Sequence, residues 1–160
     1  MPRNRYHDTP VVEFHEAFGH PVVWSPKYAP NVRAKLRVML LVEEVLEFVA
    51  ASGFKLVIDY STPASEDPIC RLIDSKHPPD IIKVADALGD IRYVTDGAAL
   101  EWGIPLEKIL REVHRSNMSK LGEDGRPVYR EDGKIMKSPN FTPPEIEAIL
   151  ELYKGVNNGI

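Results

Sequence analysis

The chain has 160 residues, of which 43% are hydrophobic and 28% charged, and no apolar run approaches the ~20 residues that cross a bilayer, which excludes a membrane-spanning protein. Its formal net charge is -4 and it carries no basic stripe, so we expect it not to bind a nucleic-acid polymer. A chain of this length predicts a single domain, and a polar N-terminal stretch together with a lone Cys70 predicts a location in the cytoplasm.

Capping residues divide the first hundred residues into three predicted helices. Thr9 is placed to cap a short first helix. Asn31 caps a long second helix, which Gly53 stops. Asp80 then caps a third helix of about twenty residues that ends at Trp102.

The segments around the third helix are less regular. Phe54 to Tyr60 is apolar but short, so both a strand and an extension of the second helix remain open. Ser61 to Pro79 has the prolines, small polar residues and acids of a loop. Pro105 begins a fourth helix that runs to Lys120.

The remaining residues predict a small β-hairpin and a last helix. Two basic segments, Arg126 to Arg130 and Lys134 to Lys137, flank Asp132-Gly133, a pair that favours a tight turn. Thr142 and Glu145 form a capping box before a short apolar helix.

Together these elements predict an all-α fold, a helical bundle of about four to five helices with a small C-terminal β-hairpin. The whole chain would form one domain. Its core would comprise about residues 10–121, and the hairpin and last helix, 122–160, would be an appendage.

The second helix carries its acids on a face that should be buried. From Val38 to Ala51 the only polar residues are Glu43, Glu44 and Glu47. These three lie within an arc of about 100°, and Leu40 falls inside the same arc one turn earlier. An alternative remains open, in which the acids are the solvated face of an amphipathic helix.

The third helix repeats the pattern. Asp86 and Asp90 are one turn apart, and Tyr93 and Gly97 continue the same stripe. Gly89 lies beside the stripe in mid-helix, where it costs up to ~1 kcal/mol against alanine unless another backbone approaches closely. We therefore expect a neighbouring helix to pack near Gly89.

Two such helices can bring four carboxylates together when they pack side by side. At ~5 Å, unit charges repel by roughly 3 kcal/mol per pair at an effective dielectric of ~20, so such a cluster has to be neutralised. Carboxylates are hard oxygen donors, and without a nearby histidine or thiol they suit Mg²⁺ or Mn²⁺ rather than zinc.

The fourth helix becomes polar along its core-facing stripe. Leu106, Leu110 and Val113 are followed at the same spacing by Asn117 and Lys120. An amide and an ammonium at this point can hold a phosphate or a base. The alternative is that Lys120 only interacts with the negative end of the helix dipole.

Three segments together resemble the MazG-like, all-α NTP pyrophosphohydrolase superfamily. They are EEVLE (Glu43 to Glu47), DALGD (Asp86 to Asp90) and NMSKL (Asn117 to Leu121). The likeness is greatest to single-domain, dUTPase-like members. It implies a homodimer or homotetramer with active sites near the subunit interfaces.

The acid motifs match with one departure. Glu44 and Glu47 match the Glu-x-x-Glu of the superfamily, and Asp90 matches the last residue of its Glu-x-x-Asp. Ala87 occupies the position of the other acid. Asp86, one residue earlier, would have to substitute for it.

The resemblance implies a reaction and a set of roles. A Mg²⁺-dependent enzyme, for which Mn²⁺ can substitute, would convert a (d)NTP, dUTP among the candidates, to (d)NMP and pyrophosphate through attack of water on the α-phosphorus. Its metal ligands would be Glu44, Glu47, Asp86 and Asp90. Catalysis would involve Glu47, with Glu43 orienting or deprotonating the water and Lys120 stabilising phosphate charge. Substrate binding would use Asn117, Lys120 and Tyr93.

Two alternatives from other classes remain. A carboxylate-bridged di-iron bundle would use similar acids, but it normally needs Glu-x-x-His pairs, and the chain has none. A non-catalytic helical adaptor would instead use the acidic stripes to bind a partner protein.

Overall fold

The computed structural model describes residues 9–59, 69–131 and 133–155. These residues form five helices and two strands: α1 (Pro10–Ala17), α2 (Asn31–Ala51), β1 (Phe54–Asp59), β2 (Ile69–Asp74), α3 (Ile81–Trp102), α4 (Leu106–Met118) and α5 (Ile146–Tyr153). The predicted all-α class with a small hairpin is confirmed. Among the described helices, none is both long enough and apolar enough to cross a membrane.

Two predicted helix caps are confirmed by their hydrogen bonds. Thr9 Oγ1 accepts the backbone N–H of Val12 at 3.3 Å. Asp80 Oδ1 accepts the N–H groups of Ile82 at 3.0 Å and Lys83 at 3.3 Å. These bonds satisfy donors that have no partner inside their own helix, so they fix where α1 and α3 begin.

Two other predicted caps are wrong. Asn31 is already the first residue of α2, and Pro30 holds the cap position without a side-chain bond. Glu145 is the cap residue of α5, also without a side-chain bond. The hydroxyl of Thr142 instead accepts from Arg115 Nη1 at 2.6 Å, so a tertiary contact replaces the local capping box.

The two-stranded sheet lies between α2 and α3. β1 and β2 are antiparallel, with Leu56 opposite Leu72. The strand alternative for Phe54–Asp59 is therefore correct, and the loop predicted for Ser61 to Pro79 is wrong over Ile69–Asp74. Residues 60–68 of that predicted loop lie outside the described part. Apolar residues at alternate positions of β2 favour a strand more strongly than the flanking prolines favour a loop.

The predicted C-terminal hairpin is present as a turn with a single bridge. Tyr129 pairs with Ile135, and Met136 N donates to Val128 O at 2.7 Å. The bridge does not extend into a ladder in the described residues.

The chain divides into two compact units. The first combines Met1–His20 with Ala29–Ala98, and the second combines Pro21–Tyr28 with Ala99–Ile160. Neither unit is continuous in sequence. The last turn of α3 belongs to the second unit.

The first unit has a small core with a buried polar cluster. Val12 and Ala87 are 1% and 2% exposed, and His15 and Arg37 are buried beside the apolar residues. Arg37 Nη2 is 2.9 Å from His15 Nε2 and 3.2 Å from Nδ1 of His20. A guanidinium can only donate, so both imidazole nitrogens accept.

A glycine on α3 makes room for this polar cluster. A Cβ on Gly97 would lie 2.9 Å from Arg37 Nη1 and 3.0 Å from His15 Nε2. A Cβ on Gly89 would meet nothing within 4 Å in the described residues. The close packing predicted at Gly89 is therefore wrong among the described residues, and two side chains approach Gly97 instead.

In the second unit, a segment that we call the strap, Pro21–Tyr28, bonds to the end of α3. Val23 N donates to Leu100 O at 2.9 Å, and Lys27 N donates to Trp102 O at 3.1 Å. Gly103 follows the helix with a φ of 64°. Its backbone runs so close to the strap that a Cβ there would clash with the carbonyl of Ser25.

The C-terminal segment is tied to α4 by a hydrogen-bond network. Glu112 accepts from Arg115 Nη2 at 2.7 Å and from the backbone N–H of Glu145 at 2.8 Å. Buried Ser116 donates to the carbonyl of Thr142 at 2.9 Å. The hydrogen bond from Arg115, followed by that from Glu145, lowers the pKa of Glu112 to about 2.

Candidate active site

Of the three acids of α2, only Glu44 lies on the side of the helix that partly faces the interior, so the buried face predicted for all three holds for one. Glu44 is half-buried, as is Leu40 one turn before it, whereas Glu43 and Glu47 are exposed. The helix is long and almost wholly apolar around these acids. The Glu44 carboxylate thus lies next to packed side chains, while the neighbouring Glu43 and Glu47 remain accessible to solvent.

The acids of α3 are exposed on either side of a packing position. Asp86 and Asp90 are one turn apart and both exposed, while Ala87 between them is 2% exposed. Ala87 is the position where the resemblance expects an acid. In this chain it serves packing, and Asp86 supplies the neighbouring carboxylate.

Four other acids of α2 and α3 interact electrostatically with Glu44. Burial, followed by the carboxylates of Asp90, Glu47, Glu43 and Asp86, raises the pKa of Glu44 above its ordinary value. Burial and like charges both disfavour ionisation of a carboxyl group, so the direction of the shift agrees with a carboxylate that has other acids nearby. The acids of the two helices therefore lie near enough to interact electrostatically, and their joint action as metal ligands remains a prediction.

The donor chemistry of this cluster fits a hard divalent cation. Five carboxylates supply only oxygen ligands, which suit Mg²⁺ or Mn²⁺. Within residues 9–59, 69–131 and 133–155, no side-chain hydrogen bond or ion pair reaches these acids. A bound cation would supply the missing positive charge.

Tyr93 lies in the same unit as the acids, one turn beyond Asp90 on α3. Its hydroxyl donates to Pro10 O at 3.5 Å, and its ring meets Phe14 edge to face at 5.8 Å between centroids. Phe14 in turn stacks on Phe18 at 4.3 Å. Tyr93 is therefore part of a group of rings, which the sequence analysis did not foresee.

Asn117 and Lys120 belong to the second unit. Lys120 Nζ donates to Asn117 Oδ1 at 2.8 Å, which joins the two predicted substrate-binding residues. α4 ends at Met118, so Lys120 lies just beyond the helix. Their predicted contacts with a nucleotide remain a prediction.

A protein-family model described as phosphoribosyl-ATP pyrophosphohydrolase matches residues 11–117. The chain belongs to the phosphoribosyl-ATP pyrophosphohydrolase family. The matched range contains all five acids of the cluster, as well as Tyr93 and Asn117, while Lys120 lies three residues beyond it. A member of this pyrophosphohydrolase family is an enzyme with a nucleotide substrate, so the adaptor alternative is set aside.

The chain also resembles solved structures, of which 24 chains match. One is a protein from Exiguobacterium sp. 255-15, provisionally named an NTP pyrophosphohydrolase, with 26% sequence identity, 94% of each chain covered and a TM-score of 0.40. No match was found among curated proteins. The family assignment thus rests on the match over residues 11–117, and it confirms the pyrophosphohydrolase part of the resemblance.

The di-iron alternative receives no support from the acid cluster. None of the five acids forms a Glu-x-x-His pair, which such bundles normally need. The donor set is made of carboxylates alone. Membership of a pyrophosphohydrolase family agrees with a site for a nucleotide.

Proposed function

We propose that this chain is a Mg²⁺-dependent nucleoside triphosphate pyrophosphohydrolase that converts a (d)NTP, dUTP among the candidates, to (d)NMP and pyrophosphate. The observation that carries the proposal is the half-buried Glu44, whose pKa is raised by burial and by four neighbouring carboxylates. Family membership supports the reaction class. The all-carboxylate donor set supports the choice of metal.

Four of the acids would hold the metal. These are Glu44, Glu47, Asp86 and Asp90, and all but Glu44 are exposed, so a polyphosphate has access to them. When bound, Mg²⁺ supplies charge that neutralises phosphate oxygens and lowers the pKa of water. Mn²⁺ has the same preference for oxygen ligands and would substitute.

The remaining acid is suited to handle the proton. Glu43 is exposed and precedes Glu44 in the chain, and it would accept a proton from the attacking water. The water oxygen forms a new bond to the α-phosphorus. The bond from that phosphorus to the bridging oxygen breaks, and its electron pair leaves with pyrophosphate.

Residues at the end of α4 would assist. The ammonium of Lys120 would stabilise charge on the phosphates, while Asn117 would contact the sugar or base. Their mutual bond of 2.8 Å holds both side chains together before substrate binds. Tyr93 would contact the nucleotide near Asp90.

A product assay tests this reaction. The purified protein is incubated with Mg²⁺ and the common NTPs and dNTPs, dUTP and phosphoribosyl-ATP, and products are separated by ion-exchange chromatography. We expect a monophosphate product together with intact pyrophosphate. Release of orthophosphate with a diphosphate product would contradict attack at the α-phosphorus.

We also propose that the working enzyme is a homodimer or homotetramer. The buried apolar residues of the described part are only Val11, Val12, Ala51, Ala87 and Ala99. Large side chains on one face of α2 remain exposed, among them Val38 at 60% and Met39 at 54%. Each would contribute about 1.5–3 kcal/mol if fully buried.

The hairpin of β1 and β2 has a similar apolar face. Opposite residues in an antiparallel pair project to the same side, which places Leu56 and Leu72 beside Ile58 and Cys70. Leu72 is 57% exposed. A two-stranded hairpin alone is marginally stable, so this face needs a cover.

A second copy of the chain fits the exposed apolar faces of α2 and of the hairpin of β1 and β2. The residues outside the described part, 1–8, 60–68, 132 and 156–160, offer few large apolar side chains. A face needed to complete the core of the chain resembles an obligate interface, and a second copy is present wherever the chain is made.

Light scattering on the purified chain tests the second copy. We expect a mass of two or four times 18.0 kDa. Leu72→Asp should shift the protein toward 18.0 kDa, whereas Lys55→Asp, on the other face of the hairpin, should not. A wild-type protein that is monomeric at micromolar concentration would contradict this proposal.

A further inference from the structure

Four aromatic side chains form a cluster in the first unit that the catalytic acids do not explain. Phe14 lies at its centre, with Phe18 stacked at 4.3 Å, Tyr93 edge-on at 5.8 Å and His20 tilted at 5.8 Å. Core residues would be buried, yet Phe18 is 66% exposed. An exposed, ordered stack of rings is the chemistry of a platform for another flat ring.

We infer that Phe14, Phe18 and Tyr93 form a stacking platform for the base of the nucleotide, and that this platform determines which base is accepted. The inference rests on the proposed nucleotide hydrolysis. It adds a base site to a reaction whose acids interact only with phosphate and metal. Two of its three residues, Phe14 and Phe18, lie on or beside α1, which the proposed reaction does not use.

The platform lies at the right distance along α3 from the acids. Tyr93 follows Asp90 by three residues, a rise of about 4.5 Å along the helix, and both belong to the same stripe. In a nucleotide, only the sugar separates the α-phosphate from the base. A nucleotide whose phosphates lie at the acids therefore has its base within reach of Tyr93.

The platform is preorganised. The bond from the Tyr93 hydroxyl to Pro10 O orients one ring, and the edge-to-face contact between Tyr93 and Phe14 orients the next. Phe14 supports Phe18 from one side, while the exposed fraction of Phe18 leaves ring surface open to solvent. Every nucleobase has a flat face that can stack on such a ring.

His20 adds a polar group at the edge of the platform. Its Nδ1 lies 3.1 Å from Arg33 Nη2 and 3.2 Å from Arg37 Nη2. Both arginines can only donate, so Nδ1 accepts and the proton of the neutral ring is on Nε2. In this tautomer the ring carries an N–H donor, which suits a carbonyl or ring-nitrogen acceptor of a base.

Steady-state kinetics of Phe18→Leu test the platform. Leucine keeps the apolar volume and removes the flat ring, so we expect KM for the best nucleotide to rise about tenfold, the loss of one base stack, with kcat little changed. Inhibition by inorganic tripolyphosphate, measured at constant free Mg²⁺, should be unaffected because it has no base. Phe18→Trp should restore the KM.

A matched surface variant and a mass measurement complete the test. Tyr28→Leu removes a ring that is 92% exposed in the second unit and should leave KM unchanged. Equal loss of affinity for tripolyphosphate and nucleotide in Phe18→Leu would overturn the platform. An unchanged KM in Phe18→Leu would also overturn it. If the mass of that variant is lower as well, Phe18 is a contact between copies.

The outcome for the platform stays separate from that for the proposed reaction. If the wild-type protein hydrolyses a nucleotide and Phe18→Leu has the same KM, the platform is wrong and the reaction stands. If the wild type hydrolyses none of the panel, the reaction fails. Binding of AMP, GMP, CMP and UMP to wild type and Phe18→Leu, measured by calorimetry, then decides the platform alone: weaker binding by the variant supports it, and equal or absent binding overturns it.

Discussion

Two glutamates on helices of this chain have opposite environments. Glu44 on α2 is surrounded by carboxylates, which together with burial raise its pKa. Glu112 on α4 accepts hydrogen bonds from Arg115 and from the backbone of Glu145, which lower its pKa to about 2. Among the described residues, the charged groups that shift the pKa of Glu44 are all carboxylates, whereas Glu112 already has a counterion in Arg115.

This difference distinguishes an acid that is suited to bind a ligand from one that stabilises the fold. A compensated carboxylate such as Glu112 stabilises its own segment and has little charge left for a ligand. An uncompensated group such as that around Glu44 reduces stability until a cation arrives. Variants of the two groups should therefore affect different measurements.

The largest expected effect is that of Glu47→Gln on turnover. Loss of one metal ligand should reduce kcat/KM by roughly 10²-fold or more, while the helical circular dichroism stays unchanged. Glu112→Gln serves as the control and should keep its kcat, because its carboxylate is engaged by Arg115. Full activity in Glu47→Gln would refute the assignment of the acid cluster.

Metal removal should have an effect of similar size and be reversible. Dialysis against EDTA should abolish hydrolysis, because the carboxylates alone cannot neutralise a triphosphate. Addition of Mg²⁺ or Mn²⁺ should restore it. Hydrolysis that persists in EDTA would show that the cluster acts without a divalent cation.

A smaller effect, and one of opposite sign, is expected for stability at Glu44. In metal-free protein at neutral pH, Glu44→Gln should raise the free energy of unfolding by roughly 1 kcal/mol, or ~2–4 °C in melting temperature, because it relieves repulsion. Added Mg²⁺ should stabilise wild type more than the variant. A variant that melts below metal-free wild type would mean that the ionised carboxylate stabilises the fold.

The smallest effect concerns the pH dependence contributed by Glu112. Its pKa is depressed from 4.5 to about 2, so its contribution to stability is present above pH 4.5 and is lost as pH falls through about 2. Glu112→Gln should therefore melt slightly below wild type at neutral pH, and the two curves should converge near pH 2. An exposed acid such as Glu123 provides the control as Glu123→Gln, whose difference from wild type should not follow this profile.

Local signals in the sequence were sufficient to predict where the helices lie and which helices carry the acids. The caps at Thr9 and Asp80 depend on residues within three positions, and the structure confirms both. The spacing of Asp86 and Asp90 likewise fixes one face of α3. Periodicity alone places such groups, because a helix repeats every few residues.

Contacts between distant residues could not be predicted in the same way. The hydroxyl of Thr142 was expected to cap α5, but Arg115 on α4 competes for it. The strand at Ile69–Asp74 needs β1 as its hydrogen-bonding partner. The prolines that flank it predict a loop instead. The aromatic platform depends on Phe14 meeting Tyr93, which lies far away in sequence, so no local pattern reveals it.

The strap has a consequence for the order in which the chain can fold. Val23 and Lys27 leave the ribosome long before Leu100 and Trp102, the residues to which they bond. Their N–H groups stay hydrated until the end of α3 has been synthesised, so the second unit cannot assemble on a shorter nascent chain. A chain arrested before Leu100 should therefore be cleaved by proteases at Pro21–Tyr28, and one extended past α5 should be protected there.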